Sequence, residues 1–234
     1  TLSVVLATYN EEKNLPICLE SVKRFADEII VVDGSSTDKT VEIANKYGAK
    51  VKVTTNKPIF HINKQIAIDM ATKDWILQLD ADERVTSELK EEIKEKIRNL
   101  KVNGYWIPRK NWFLGRFLMK GGVYPDYTLR LYRRGKGRLP QKSVHEQAVV
   151  EGEVGYLKNP LMHMADTSLS RYLMRWNRYV NLMRDELWQE KPGILAFIDY
   201  LFVKPIHWFL LTYIRHKGFM DLWPGFVFSL FSAL

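Results

Sequence analysis

The chain has 234 residues, a formal net charge of +8 and a single cysteine, Cys18. With 46% hydrophobic and 26% charged residues it reads as an ordinary folded protein with one core, or one core and an appendage. A lone cysteine excludes an internal disulfide.

In chain order, Leu2–Ala7 is a short β-rich run, followed by a polar loop, Thr8-Tyr9-Asn10-Glu11-Glu12. No signal peptide is read ahead of this strand, and Thr1 implies an initiator methionine outside the numbering. Leu15, Leu19 and Val22 recur at helical spacing as far as about Phe25. Cys18 falls inside that helix as a small buried hydrophobe. Residues 28–32 form a second strand, and Ser36 or Thr37 is expected to cap a helix from Thr40 to Tyr47, with Gly48 as its stop. A short strand at 51–53, a helix over about 62–71 and a strand at 75–79 follow. Strands alternating with helices predict a parallel, doubly wound sheet in the first 80 residues, hence an α/β fold.

Thr86 or Ser87 begins a charged helix that keeps Leu89, Ile93 and Ile97 on one face. Gly104–Arg109 and Thr128–Arg133 then read as strands with cationic ends. Residues 101–142 hold eleven Lys or Arg against one acid, Asp126. Such a face suits anionic lipids or phosphorylated substrates; a nucleic-acid polymer is not expected as partner. Residues 168–188 return to a helical pattern that interleaves aromatic and basic side chains, broken by Pro192-Gly193. Residues 166–234 are thus expected to form a helical, aromatic-rich tail behind a domain spanning 1–165. Its last thirteen residues carry no charge. A membrane-spanning helix wants roughly 20 apolar residues, and Asp199, Lys204, Pro205 and Arg215 interrupt that pattern. Peripheral anchoring at a membrane interface fits the mixture of Trp, Tyr, Phe and Lys better; a homo-oligomer contact is the alternative.

Two apolar runs end in acidic turns. Glu28–Val32 leads into Asp33-Gly34-Ser35-Ser36-Thr37-Asp38, and Trp75–Leu79 into Asp80-Ala81-Asp82-Glu83. Ligand sites of open α/β sheets lie beyond the carboxyl ends of strands. Residues i and i+2 of a strand share a side. Asp80 and Asp82 can therefore turn toward one divalent cation, Mg2+ or Mn2+, and the phosphates it bridges. Asp33 can accept from a sugar hydroxyl or a base N–H, with Thr8, Asn10 and Glu11 flanking the same ligand. Neither a Walker glycine-lysine loop nor G-x-G-x-x-G is present, which disfavours nucleotide hydrolysis and nicotinamide chemistry. Glu146, in His145-Glu146, is a candidate general base for an alcohol acceptor. His163 is a candidate third cation ligand or phosphate contact. An ordinary surface or core-polar role stays open for both.

These blocks resemble a known family. Leu6–Glu12, Val31–Asp38 and Leu79–Glu83 are similar, in order and separation, to the signature blocks of family 2 glycosyltransferases. Arg130–Gly135, Val144-His145-Glu146 and Lys217–Gly225 resemble a narrower branch that includes bacterial lipopolysaccharide-core β-glucosyltransferases. The resemblance implies a GT-A fold, a nucleotide-sugar donor, expected to be UDP-linked, and inversion at the anomeric carbon. It implies donor contacts from Thr8, Asn10, Glu11, Asp33, Asp80 and Arg130, and metal contacts from Asp82, Asp80 and His163. Glu146 stands where the inverting base is expected, helped by His145, although the commoner motif there is an acidic pair; Asp126 is the rival. A lipid-linked glycan or phosphorylated saccharide acceptor, at the cytoplasmic face of the cell membrane, would suit the basic middle and aromatic tail. Two other classes remain: a sugar nucleotidyltransferase, and a membrane-associated carbohydrate-binding or scaffold protein.

Overall fold

The computed structural model describes residues 1–57, 59–99, 101–140, 147–189 and 193–234. It divides into two units: Thr1–Arg109 with Tyr127–His163, and Lys110–Asp126 with Met164–Leu234. The segment Lys110–Asp126 thus goes with the C-terminal residues.

The first unit opens with β1 (Leu2–Thr8), α1 (Leu15–Val22), β2 (Glu28–Asp33), α2 (Thr40–Lys46), β3 (Lys50–Val53), α3 (Phe60–Asp69) and β4 (Trp75–Leu79). This is the alternation expected from hydrophobic period. It continues through β5 (Glu83–Val85) and α4 (Ser87–Lys96). The later strands are β6 (Gly104–Phe113), β7 (Arg116–Phe117), β8 (Asp126–Arg133), β9 (Gly137–Arg138), β10 (Val149–Val150), β11 (Val154–Tyr156) and β12 (Leu161–Asp166). The main sheet runs β3-β2-β1-β4-β8-β6-β12-β5, with β7 and β11 added on β6. Its first four strands are parallel, whereas β8 is antiparallel to β4 and β12 to β5. The sheet is therefore mixed, with the doubly wound parallel half as its start, and the architecture is GT-A-like.

Alternation along the strands decides which helices cover which face. Leu2, Val4, Leu6, Ile29, Val31, Leu77 and Leu79 belong to a core shared with Leu15, Leu19 and Val22 of α1, Ala44 of α2, and Leu89 and Ile93 of α4. Val5, Ile30, Val32 and Ile76 point the other way, onto Ala67 and Ile68 of α3. The order β3-β2-β1-β4 reverses direction between β1 and β4, the place where such sheets open a crevice. Local capping follows the expectation at α4, where Thr86 accepts the Leu89 N–H at 3.2 Å. It departs at α2. There Asp38 accepts the Thr40 N–H at 2.9 Å, while Ser36 and Thr37 are taken up by Asp33 and Asn10.

The second unit contains the β6–β7 hairpin, paired through Trp112–Phe117 and Phe113–Arg116, and α5 (Leu169–Gln189). A long apolar helix, Leu195–Arg215, follows, then a turn and a C-terminal helix, Leu222–Ala233. Phe113, Leu118, Tyr172 and Val227 form its core. Asp221, 2% exposed, accepts the Met119 and Lys120 N–H groups at 2.8 and 2.7 Å and faces Arg116 at 3.4 Å. A Cβ on Gly225 would sit 2.0 Å from the Gly218 carbonyl oxygen, so the turn 218–225 closes only with glycine there. The long helix continues through Pro205, against the expectation that this residue breaks it. Proline gives no N–H to the carbonyl four residues back. A wider turn precedes it, in which the Lys204 N–H reaches five residues back to Asp199, and such turns absorb the mismatch.

One polar cluster ties β1, β2, β3 and the loop before β4 together. Glu28, 7% exposed, accepts from Ser3 Oγ at 2.5 Å, Lys50 Nζ at 2.6 Å, and the Thr72 N–H and hydroxyl at 2.9 and 3.0 Å. Burial raises its carboxyl pKa, but the hydrogen bonds from Lys50, Ser3 and Thr72 outweigh it and bring the group down to about 2. A folded pKa below the unfolded one gives stability that is present above about pH 4.5 and lost as pH falls toward 2. Glu28→Gln is expected to lower unfolding free energy at pH 7 by about 1–2 kcal/mol. Urea titrations at pH 7 and pH 3 should show the gap between variant and parent narrowing at the lower pH.

Candidate active site

The site follows from three registers. Parallel pairing sets Thr8 beside Asp33 and Leu6 beside Leu79, so the turns after β1, β2 and β4 open at one end of the sheet. Antiparallel pairing of Leu77 with Leu131 brings Arg130 to the end of β4. Pairing of Glu83 with His163 sets that histidine beside the Asp80–Glu83 turn. The result is a cavity of about 300 Å3 lined by Thr8, Tyr9 and Glu11 from the first strand end, Asp80 and Asp82 from the fourth, and His163. Asn56, Phe60, Asn63 and Lys64 line its other side.

Asp80 sits in the wall of this cavity between two cations. One carboxylate oxygen pairs with Lys64 Nζ, and the other accepts from the Arg130 guanidinium at 2.6 Å. Burial alone would raise the Asp80 carboxyl; Arg130 and Lys64 overcome it and hold the group well below the usual carboxylate range. Burial pushes the Lys64 ammonium down, opposed by Asp80. Glu83 completes the ladder. It is fully buried, faces Arg130 at 3.4 Å and Arg109 at 3.5 Å, and accepts the Asp80 N–H at 2.8 Å. The Glu83 N–H in turn donates to the Asp80 carbonyl at 2.9 Å, closing the turn from both ends.

Asp82 is held by that closed turn. Its Oδ2 lies 3.6 Å from His163 Nε2, and both side chains line the cavity. Among the described residues, no three His, Cys, Asp or Glu side chains are gathered as a metal cluster. The Asp82 carboxylate nevertheless suits a hard cation of the Mg2+ kind, which is held by one or two carboxylates and completes its shell with phosphate oxygens and water, and His163 stands beside it. With both Asp80 oxygens engaged by Lys64 and Arg130, Asp80 is placed as a support of this wall.

The other expected residues spread out. Asp33 is fully buried and accepts from Thr8 Oγ1 at 2.9 Å, Ser36 Oγ at 2.6 Å and the Ser36 N–H at 2.7 Å. Asn10 has a left-handed backbone, φ 54°, and accepts the Thr37 N–H at 2.9 Å, bracing the β1 loop on the β2 loop. Arg130 stands behind Asp80 and does not line the cavity. Asp126 belongs to the second unit and accepts from Asn111 Nδ2 at 3.0 Å. His145 and Glu146 lie outside the described residues. Sequence reasoning missed Lys64, Asn63, Glu83 and Arg109. Glu83 was visible as the last acid of its turn. Asn63 is 4% exposed, gives its Nδ2 to the Thr55 carbonyl at 3.1 Å, and keeps an Oδ1 with no hydrogen-bond partner among the described residues. Cys18 is buried with its thiol pushed up by burial, in keeping with a packing role.

Removing Lys64 leaves Asp80 with Arg130 as its remaining cation and one carboxylate oxygen without a charged partner. Lys64→Met is expected to cost about 3 kcal/mol of stability, measured by urea unfolding, and to exceed the loss for the exposed pair change Lys94→Met.

Residues 3–149 match the family described as glycosyl transferase family 2. The lipopolysaccharide core biosynthesis glycosyltransferase LpsC of Rhizobium meliloti is 31% identical over 253 residues, covering 99% of this chain and 90% of that protein. An uncharacterized glycosyltransferase of Rickettsia typhi is 30% identical over 246 residues, covering 99% and 82%. The fold is similar to the crystal structure of S. aureus TarS 1-349 in complex with UDP-GlcNAc, with a TM-score of 0.56 and 19% identity over 98% of this chain and 79% of that one. The match over residues 3–149, together with 31% identity to LpsC over 99% of this chain, shows that the chain belongs to glycosyl transferase family 2.

Proposed function

We propose that this glycosyltransferase moves a sugar from a UDP-linked donor to a lipid-linked or saccharide acceptor in envelope glycan synthesis, with inversion at the anomeric carbon. The observation that carries this reading is the cavity at the switch point between β1 and β4, where Asp82 and His163 converge beside the neutralised Asp80. The likeness to LpsC supports an acceptor of the lipopolysaccharide-core kind, and the TarS complex supports a UDP-sugar donor. Family membership favours sugar transfer over nucleotidyl transfer and over a binding role without turnover.

Each wall of the cavity has a part. Thr8 and Glu11 flank the nucleoside, with Asp33 and Asn10 fixing their loop. The unpartnered Asn63 Oδ1 accepts from a donor hydroxyl or base N–H, since a buried acceptor gains most from a ligand that fills it. Lys64 and Arg130 keep the wall cationic enough to tolerate a diphosphate beside Asp80 and Asp82. Asp82 and His163 would hold Mg2+ or Mn2+, which, when bound, neutralises the diphosphate as it leaves. The acceptor oxygen attacks from the opposite face of the sugar and loses its proton to a carboxylate. Glu146 is the proposed base and Asp126 its rival. The exposed apolar helix Leu195–Arg215 supports association with a membrane; the proposed place is peripheral, at the cytoplasmic face.

Asp82→Ala is expected to weaken Mn2+-dependent UDP binding roughly tenfold or more. Calorimetry of UDP with and without Mn2+ measures this without turnover; an unchanged Mn2+ effect rejects the Asp82 assignment. Glu146→Gln should lower turnover on the order of 10^2- to 10^4-fold while leaving UDP affinity intact. A comparable loss in Asp126→Asn, with Glu146→Gln active, would move the base to Asp126. Product NMR with a defined donor reads the stereochemistry, and retention would exclude a single displacement.

A further inference from the structure

Among the described residues one helix, Leu195–Arg215, is long and apolar enough by length and composition to cross a membrane, and only 6% of its apolar window is buried. Its 21 residues extend about 31 Å, close to the hydrocarbon core of a bilayer. The way the chain enters and leaves this helix argues against a crossing.

Both near ends are fixed to one core. At the start of α5, the Tyr172 ring lies 4.7 Å from Phe113 and 5.6 Å from Phe231, and Trp176 Nε1 donates to the Phe231 carbonyl at 2.8 Å. At the end of the long helix, the His216 carbonyl accepts the Gly121 N–H at 2.9 Å, and Asp221 anchors Met119 and Lys120. The far ends are tied by the chain itself: Gln189 ends α5 and Ile194 begins the next helix. Five Cα steps reach at most about 18 Å, too short to bridge a bilayer. If the long helix crossed, α5 would have to cross with it. But α5 carries Arg171, Arg175, Arg178 and Arg184, a load that a lipid-exposed spanning helix does not tolerate.

The side chains describe an interfacial element instead. Phe202, Ile206, Leu210 and Ile214 follow at four-residue steps and are all exposed. The other side of the helix packs on the C-terminal helix through Phe209–Phe226 and Tyr213–Phe226, at 6.1 and 5.7 Å. One side is covered only over this second half of the helix; around its start Leu195, Phe197, Ile198, Leu201 and Val203 are exposed on every side, and it is the half with one covered and one exposed face that has the form of a helix lying in the interface plane. The charges beside it favour anionic headgroups. Between residues 199 and 221 the cations are Lys204, Arg215 and Lys217, and of the two acids there Asp199 pairs with Lys204 at 3.3 Å and Asp221 is buried. On α5, Arg171, Arg175 and Arg178 share a face at i, i+4 and i+7 near its start, Arg175 being paired to Asp166 and Arg171 also engaged within the protein, while Asp185 and Glu186 fall near its other end.

We propose that the second unit docks on the surface of an anionic bilayer without crossing it. The long helix lies along the interface, and α5 runs in the headgroup layer with its arginines on lipid phosphates. This rests on the membrane reading above and adds its topology and lipid class.

The test adds full-length protein to preformed, sealed vesicles of phosphatidylcholine alone or with phosphatidylglycerol. Flotation should show strong binding only with the anionic lipid, and Arg171→Gln with Arg178→Gln should weaken it on the order of tenfold. Equal binding to both vesicle types would overturn the headgroup assignment. Topology is read by an impermeant maleimide on Gly193→Cys and Lys120→Cys; a Cβ at Gly193 meets no atom within 4 Å, Lys120 is exposed, and Cys18 is buried. Labelling of both variants from outside without detergent is expected. Labelling of Lys120→Cys, with Gly193→Cys unreactive until detergent is added, would establish a crossing and overturn the proposal. No flotation with either lipid, with a dimer in sedimentation equilibrium, would instead overturn the membrane reading itself and assign the apolar face to a second copy.

Discussion

The candidate site depends on one carboxylate kept charged in a partly desolvated wall. Asp80 stands at the end of β4, where desolvation works against its ionised form. It remains ionised because Lys64 reaches it from α3 and Arg130 from β8. Three elements distant in sequence thus meet at one pair of oxygens. Removing one cation would leave the carboxylate half-compensated, with one oxygen facing no cation, which costs more than the net gain of forming that pair. Glu83 extends the constraint to Arg109 on β6 and, through its carboxylate and its N–H, both hydrogen-bonded to the Asp80 backbone, fixes the turn that carries Asp82.

That constraint explains the division of labour between two aspartates one residue apart. Asp80 spends its acceptors inside the protein. Asp82 faces the cavity and meets His163, which arrives because β12 pairs antiparallel with β5. The first acidic turn behaves in the same way: Asp33 organises the loops after β1 and β2 from a fully buried position, leaving Thr8, Tyr9 and Glu11 at the cavity wall. In each turn the buried acid builds the frame, and its neighbours meet the ligand.

The second unit solves a different problem. It has a small aromatic core, closed by Asp221 and by the close approach of Gly218 and Gly225, and it leaves much apolar surface outside. Large exposed apolar patches on a folded chain mark an interaction surface. Here the patch is joined to cationic side chains and to a polar helix, and the connections between the two helices limit the ways it can meet a bilayer.

The sequence by itself determined the strand-helix alternation, because the apolar period of each segment is a local property. It also located the acidic turns, since both follow uninterrupted β-rich runs, and the order of those blocks carried the family resemblance. Thr8, Glu11, Asp80, Asp82 and His163 were legible on that basis and do line the cavity. Lys64 and Asn63 were not, because nothing local separates them from the other polar residues of α3; only packing of α3 against β1, β2 and β4 buries them. Arg130 was legible as a site residue, but its place behind Asp80 comes from the antiparallel register of β8. Pro205 misled for a related reason: a local rule names it a breaker, whereas the helix accommodates it through a wider turn ahead. Long-range register and burial decided which charges pair, and a charge acquires its role only when its partner and its access to water are fixed.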